Sequence, residues 1–211
     1  CMIWRHPRST RLPYTTLFRS GDTATFNSGT VPSAGTTLAN VPDAVNIIAE
    51  ASDSDVSITL PARAYGTITV KALNTGNITL TLLEGTISTQ AMLIQSYGSG
   101  EAKLTINNTG SGSASTTSIT MASIKIISHE GTAKMNVNNA QLAVSGDLTF
   151  QKNNTNNPVI DNATDVWIEG DLKEEGVTST TFTIPSAAEL GLQIGGTRSE
   201  ERREGKECRS R

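Results

Sequence analysis

The sequence predicts an all-β protein and, within that class, favours a parallel β-solenoid (β-helix) of short, degenerate rungs. Three observations lead to this prediction. Residues with β and turn preferences dominate residues 21–197, where 27 Thr, 17 Ser and 15 Asn make up a third of the segment. Apolar and polar residues alternate in many short runs, and one segment repeats at a fixed offset.

Each alternating run directs its apolar side chains to one side of a strand and its polar side chains to the other. Regular alternation also argues against disorder, because disordered segments lack evenly placed apolar residues. The runs are separated by Gly, Asn and Ser clusters, and no amphipathic helix is predicted between them. The predicted strands are 56–60, 68–71, 78–82, 104–106, 124–126, 135–137, 142–144, 148–150, 166–168 and 182–184.

The repeat emerges when residues 91–108 are overlaid on residues 122–139, an offset of 31. The aligned apolar pairs are Leu93/Ile124, Leu104/Met135 and Ile106/Val137, and one further step of 31 reaches Val166 and Ile168. A rung that cannot bury its apolar side alone buries it against the next rung, which favours the solenoid. Stacked β-sandwiches are the alternative architecture.

The two ends of the chain differ from the middle. Residues 13–20, Pro-Tyr-Thr-Thr-Leu-Phe-Arg-Ser, resemble the in-frame translation of a common short-read sequencing adapter. The reverse complement of the adapter codons for residues 16–20 encodes Arg-Ser-Glu-Glu-Arg, the string at residues 198–202. We therefore expect residues 1–20 and 198–211 to be adapter-derived and outside the fold. Residues 21–197 are then a repetitive β domain that we expect to be a fragment of a longer protein.

Charge and cysteine content exclude several classes of function for residues 21–197. Both cysteines, Cys1 and Cys208, lie in the adapter-like ends, which argues against a disulfide framework, a zinc cluster and cysteine catalysis. The segment keeps 7 basic and 16 acidic residues, a balance of about −9, and its basic residues are scattered. Nucleic acid is therefore not an expected partner. No apolar run is long enough to span a membrane, and neither a metal nor a cofactor is predicted.

The strongest candidate for a binding site lies in residues 161–175, where six carboxylates occur within fifteen residues. Alternation places Val166 and Ile168 inward, so that Asp165, Trp167 and Glu169 share the outer side of one strand. An indole with polar flanks is the arrangement that a sugar-stacking platform uses. The candidate ligand-binding residues are Asp165, Trp167, Glu169 and Asp171. The alternative is a solvated acidic turn whose Trp only covers the edge of the core.

Three smaller features have structural explanations. His129 is predicted in a turn without a catalytic partner. Asn107 and Asn138 either stack as an amide ladder or serve turns with positive φ. Thr-x-Thr pairs begin at residues 23, 67, 79 and 181, and their spacings of 44, 12 and 102 share no rung length. These spacings argue against the stacked threonine array of an ice-binding face.

A family resemblance rests on the Gly-Asp-Thr-Ala-Thr-Phe opening at 21–26, on Gly-Asp-Leu after a strand at 146–148 and 170–172, and on the Thr, Asn and Gly richness. Together these resemble passenger or stalk segments of bacterial autotransporter-type and other repeat-built surface adhesins. The resemblance implies an extracellular or cell-surface location and adhesion through a long repetitive rod. The implied partners are cell-surface or matrix glycans or proteins.

Two other functions stay open at this stage. A polysaccharide-active β-helix, such as a lyase or glycosidase fragment, needs converging carboxylates, and a lyase also needs a nearby basic residue, for which Lys173 is the candidate. A carbohydrate-binding module would place a second exposed aromatic residue beside Trp167, and Tyr65, Tyr97 and Phe150 are too scattered in the sequence to predict such a pair. The structural and adhesive function, without catalysis, is the preferred prediction.

Overall fold

Alternation in the sequence becomes alternation in burial. The computed structural model describes residues 19–31, 35–107, 118–138, 140–161, 163, 165–176 and 191–195, apart from a few side chains. In β6 (Ile78–Leu82), Ile78, Leu80 and Leu82 are fully buried, whereas the two threonines between them are partly exposed. Burial of the apolar side chains drives this arrangement, while the outer hydroxyls stay in contact with water.

The described residues form seventeen strands and no helix. The strands are β1 (Thr23–Phe26), β2 (Thr36–Thr37), β3 (Asn46–Ala51), β4 (Val56–Leu60), β5 (Ala64–Ala72), β6 (Ile78–Leu82), β7 (Thr86–Ser96), β8 (Ala102–Ile106), β9 (Ser118–Met121), β10 (Ile124–Ser128), β11 (Ala133–Asn136), β12 (Gln141–Val144), β13 (Leu148–Lys152), β14 (Val159–Asp161), β15 (Asp165–Ile168), β16 (Leu172–Gly176) and β17 (Gly191–Ile194). All predicted strands that fall within the described residues are present, with 135–137 shifted to β11. The predicted strand 182–184 lies outside them.

Every strand pairing among the described residues is parallel. Successive turns of the chain stack their strands directly, and together they make a β-solenoid of about six turns. The predicted solenoid is confirmed. The alternative of stacked sandwiches is wrong, because sandwiches are built from antiparallel sheets.

The strands line three faces. The first face contains the N-terminal part of β7 with β9, β12, β15 and β17. The second face runs through β1, β3, β5 and the C-terminal part of β7 to β10, β13 and β16. The third face consists of β2, β4, β6, β8, β11 and β14. From β9 onward, each turn therefore contributes one strand to each face until the described residues become sparse after β16.

The rung length differs from the offset of 31 that the repeat predicted. Most turns are shorter: the offset is 21 for Ile47↔Ile68, 24 for Ile78↔Ala102 and 26 for Asp165↔Gly191. An offset of 31 holds only between β8 and β11, where Leu104 lies beside Met135, and it is 32 between β7 and β10. The extra residues of this turn fall between β8 and β9.

Two parts of the predicted repeat are therefore wrong. Ile124 lies beside Met92 and not beside Leu93, because the offset on the second face is 32 and not 31. The further step of 31 also fails, since Met135 lies beside Ile160 on the third face. Val166, which the step was expected to reach, lies beside Leu142 on the first face.

Glycines occupy the corners at which one rung passes closest to the next. Between the second and third faces, Gly76, Gly100 and Gly131 follow one another up the solenoid, and a Cβ on any of them would overlap backbone of the preceding turn. Between the first and second faces, Gly146 and Gly170 are equally crowded. Glycine is required here by close backbone approach. The Gly-Asp-Leu repeat of the sequence is thus the mark of a corner.

A column of threonines runs up the third face, although the spacing of the Thr-x-Thr pairs argued against one. Thr37, Thr59, Thr81 and Thr105 are in register on four successive rungs, which places their side chains above one another. The neighbouring outward column changes from Ser57 and Thr79 to Lys103 and Lys134. A flat uncharged threonine surface is therefore limited to the first rungs of this face.

Candidate functional site

Trp167 projects from the outer side of β15, as alternation predicts. Its neighbours Val166 and Ile168 are buried, whereas Trp167 is 54% exposed, the highest value among the large apolar side chains that the structure describes as exposed. Glu169 follows on the same side and is also exposed. Asp165 begins β15, and its side chain lies outside the described part of the structure. An indole that remains so exposed is available to a ligand.

Beside Trp167 lies a shallow depression of about 230 Å³. It exists because of register: Thr120, Ala143 and Trp167 occupy the same position on three successive strands of the first face. The two smaller side chains leave the indole standing above the sheet. We call this surface the Trp167 ledge, and its residues are Thr120, Ala143, Val144, Ser145, Trp167 and Glu169.

Of the predicted ligand-binding residues, the structure brings Trp167 and Glu169 together on this ledge. Asp171 lies beyond Gly170, at the corner that leads to the second face, and is not among the residues that line the depression. Its backbone N–H donates a hydrogen bond to Asp147 Oδ1 at 2.8 Å. The alternation of β15 revealed Trp167 and Glu169, but Thr120 and Ala143 could be found only from the register between rungs.

The Gly-Asp corner also holds an ion pair. Asp147 follows Gly146, and its carboxylate accepts a hydrogen bond from Lys173 Nζ on the next rung. This hydrogen bond, together with the one from the Asp171 N–H, lowers the pKa of Asp147, and the carboxylate in turn raises the pKa of Lys173. Lys173, the basic residue that a lyase would need in this segment, is therefore engaged in holding two rungs together.

Other carboxylates of the acidic segment pair between rungs in the same way. Asp161 Oδ2 lies 2.8 Å from Lys134 Nζ on the third face, and Glu175 Oε2 lies 2.7 Å from Lys125 Nζ on the second face. Lys125 and Glu175 lie two rungs apart, and Thr149 lies on the rung between them. The side chain of Thr149 points outward but is buried. The segment thus distributes its carboxylates over three faces and does not gather them at one point.

His129 has structural contacts at the corner between the second and third faces. Its ring stacks on Tyr97 of the preceding rung, with centroids 4.9 Å apart and an interplanar angle of 14°. The side-chain amide of Asn153, on the following rung, lies 2.9 Å from Nδ1. The three residues continue the parallel ladder, since each N–H bonds to the carbonyl of the rung before it. Sequence inspection predicted the turn but missed this stack.

Asn107 and Asn138 form an amide contact between rungs, and Asn138, but not Asn107, also has a positive φ. Asn138 Nδ2 lies 3.4 Å from Asn107 Oδ1, at the long end of hydrogen-bond distances, and Asn138 has a φ of 46°. The amides therefore stack across two rungs at a position where the backbone also favours Asn.

None of the three other aromatic residues named in the sequence analysis lies beside Trp167. Tyr65 and Phe150 are buried in the core, and Tyr97 stacks on His129 at a different corner. Within the described ranges, no group of three or more His, Cys, Asp or Glu residues could hold a metal ion. Nor does any helix in that part of the chain have the length and hydrophobicity to cross a membrane.

Comparison with known proteins found no family model, no curated protein and no solved structure that matches the chain. The fold and the Trp167 ledge are the features of the chain that bear on its function.

Proposed function

We propose that this chain is a structural and adhesive segment of a bacterial cell-surface or secreted repeat protein, and that it contacts glycans through the Trp167 ledge. The observation that carries the proposal is the exposed indole that stands above Ala143 and Thr120 on the first face. Sugar rings present C–H groups on one side, and an accessible indole is a favourable surface for them. The glycans or proteins of another cell or of a matrix are the proposed partners.

The solenoid itself suits a structural role outside the cell. Each rung is held to its neighbours by backbone hydrogen bonds and by a continuous apolar core, so the stability of the rod grows with every added rung. Contacts of a single small ledge are weak, but many copies on one surface act together, which is how a repeat protein adheres.

Catalysis is the second candidate, and the ion pairs argue against it. A glycoside hydrolase places two carboxyl groups about 5 to 10 Å apart around the scissile bond. Here Asp147, Asp161 and Glu175 each pair with a lysine of another rung. An enzyme that used any of these three carboxylates would have to break a contact between rungs.

Replacing Trp167 with Ala tests the proposal. We expect the full chain to sediment with insoluble cellulose, chitin or chitosan, and W167A to bind about fivefold more weakly or worse, since truncation of a Trp anchor costs on the order of 1 kcal/mol or more. Leu83→Ala is the matched control, because Leu83 is also an exposed apolar residue, at 38%, but lies outside the ledge.

Assay of the supernatants from this sedimentation experiment for released sugar ends discriminates between adhesion and catalysis. We expect no reducing or unsaturated ends above the protein-free level. Release of such ends by the folded chain would contradict the adhesive proposal and favour an enzyme. Equal binding by W167A and by the unmodified chain would contradict the assignment of the ledge.

A further inference from the structure

We propose that the Trp167 ledge selects amino sugars that carry a free, positively charged amino group. This inference rests on the proposed glycan-binding function and adds the chemical class of the ligand. Its basis is the pairing, in one depression, of an exposed indole with the exposed carboxylate of Glu169. The indole face attracts cations through its quadrupole, and Trp does so more strongly than Tyr or Phe.

The size of the depression sets the size of the ligand. Pockets for drug-sized molecules measure roughly 300–1,000 Å³, whereas the ledge encloses about 230 Å³. One sugar ring suits such a space, with the next units of a chain extending over the open sheet. The ring would stack on Trp167, with its ammonium group directed to Glu169.

The surroundings favour a cation. The first-face strands β9, β12, β15 and β17 contain no Lys or Arg, and neither does the N-terminal part of β7. The lysines of the same three rungs lie on the other two faces, with Lys125, Lys152 and Lys173 on the second face and Lys134 on the third. Three of them pair with carboxylates of other rungs, namely Lys125 with Glu175, Lys134 with Asp161 and Lys173 with Asp147. The carboxylate of Glu169 therefore faces solvent on a face whose strands lack basic residues, within a segment of net charge about −9.

A neutral sugar would make fewer favourable contacts with the ledge than a cationic sugar. Thr120 and Ser145 offer hydroxyl groups to any sugar, and Trp167 offers its face to any pyranose ring. Only a cationic sugar gains both the cation–π contact and the attraction of the carboxylate. An N-acetylated amino sugar keeps the ring but loses the charge, so it behaves as the neutral case.

The test uses the full chain with Trp4→Phe, which leaves Trp167 as its single tryptophan. Its emission is followed while β-1,4 oligomers of glucosamine, N-acetylglucosamine and glucose of equal length are added. We expect the glucosamine oligomer to bind about 3- to 30-fold more tightly than the other two, the ratio that an exposed cation–π contact and an exposed ion pair supply together. Added salt should reduce this preference.

Two substitutions identify the cause. Glu169→Gln should reduce the preference for glucosamine over the two neutral oligomers, leaving only the share that the cation–π contact with Trp167 supplies. Glu130→Gln is the control, because it removes one exposed carboxylate from another corner of the solenoid. If E130Q weakens glucosamine binding as much as E169Q does, the attraction is general and the inference is wrong.

The outcomes separate this inference from the proposed function. Equal affinity for all three oligomers would overturn the selection of amino sugars and leave the glycan-binding ledge intact. Absence of any emission change, in a chain whose circular dichroism shows the β-structure, would overturn both. A preference for glucosamine that is undiminished in E169Q would also contradict the inference, because Glu169 would then not be a recognising group.

Discussion

Gly131→Ala is expected to lower the free energy of unfolding by about 1–3 kcal/mol or more, the usual cost of forcing an extra methyl group into packed structure. A Cβ at this position would overlap the carbonyl oxygen of Gly100 and Oγ of Ser96, and it would lie 2.7 Å from the carbonyl oxygen of Gly98. Two of these atoms belong to the backbone of the preceding rung. They cannot move without displacing the ladder between the rungs.

Buried hydrogen bonds add to the cost. Ser96 is fully buried, and its hydroxyl shares its one proton between the carbonyl oxygens of Gly100, at 2.8 Å, and Gly98, at 3.0 Å. A methyl group that pushes these carbonyls aside leaves buried polar atoms without good partners. The effect of the substitution thus reaches both rungs that meet at the corner.

Gly29→Ala serves as the control, and urea denaturation followed by circular dichroism is the measurement. A Cβ at Gly29 meets only Oδ1 of Asn27, at 3.3 Å, and Gly29 does not have a positive φ. The free energy of unfolding of G29A should stay within about 0.5 kcal/mol of that of the parent chain. Equal unfolding midpoints for G131A and G29A would show that the corner is not packed as described.

Leu80→Ala is expected to cost about 2–5 kcal/mol, the range measured when a buried leucine is truncated to alanine. Leu80 is fully buried at the centre of β6, in register with Ile58 on the preceding rung and Leu104 on the following one. The lost side chain leaves a cavity between two rungs. The parallel ladder keeps these rungs at a fixed spacing, so they cannot close the cavity.

Thr81→Ala, one residue further along the same strand, is the matched control. Thr81 points outward, so we expect a loss of less than about 1 kcal/mol, the span of strand preferences. Thermal and urea unfolding of both variants give the comparison. If T81A were the more damaging change, the strand would present its other side to the core, since a slip of one residue exchanges the two sides.

Strands were the part of the fold that the sequence could predict best. Alternation such as Val56-Ser57-Ile58-Thr59-Leu60 reports which side chains are inward, and burial follows this pattern strand by strand. The solenoid followed from short strands and a local repeat. Rung length could not be inferred, because the visible offset of 31 belongs to the one turn that carries extra residues between β8 and β9.

Features that depend on register between rungs were missed because the rung length was unknown. Thr37, Thr59, Thr81 and Thr105 form a column, but their successive spacings of 22, 22 and 24 are not visible in Thr-x-Thr pairs. A column requires the length of every intervening corner to be known. Corner length is set by close backbone contacts, and a single sequence records these only as scattered glycines.

The sequence predicted the exposed residues of the candidate site but not the depression beside them. Trp167 and Glu169 were identified because alternation within β15 places both outward. The depression beside them depends on Ala143 and Thr120, which lie one and two rungs away. Lys173 was predicted as a candidate basic residue for a lyase, and its ion pair with Asp147 could not be foreseen without the rung offset of 24 between β13 and β16.

The in-register stacking of rungs on which the Trp167 ledge depends is tested most directly by a distance series along the third face. Cys1 and Cys208 are first replaced by Ser. Three double-cysteine variants are then made for spin labelling, with one cysteine at Thr37 and the other at Thr105, Asn136 or Asp161. These positions are in register on successive strands, three, four and five rungs apart. At about 4.8 Å per rung, the backbone separations are about 14, 19 and 24 Å. In-register rungs should give label distances that increase by this constant step, and distances that do not increase from one pair to the next would contradict the stacked solenoid.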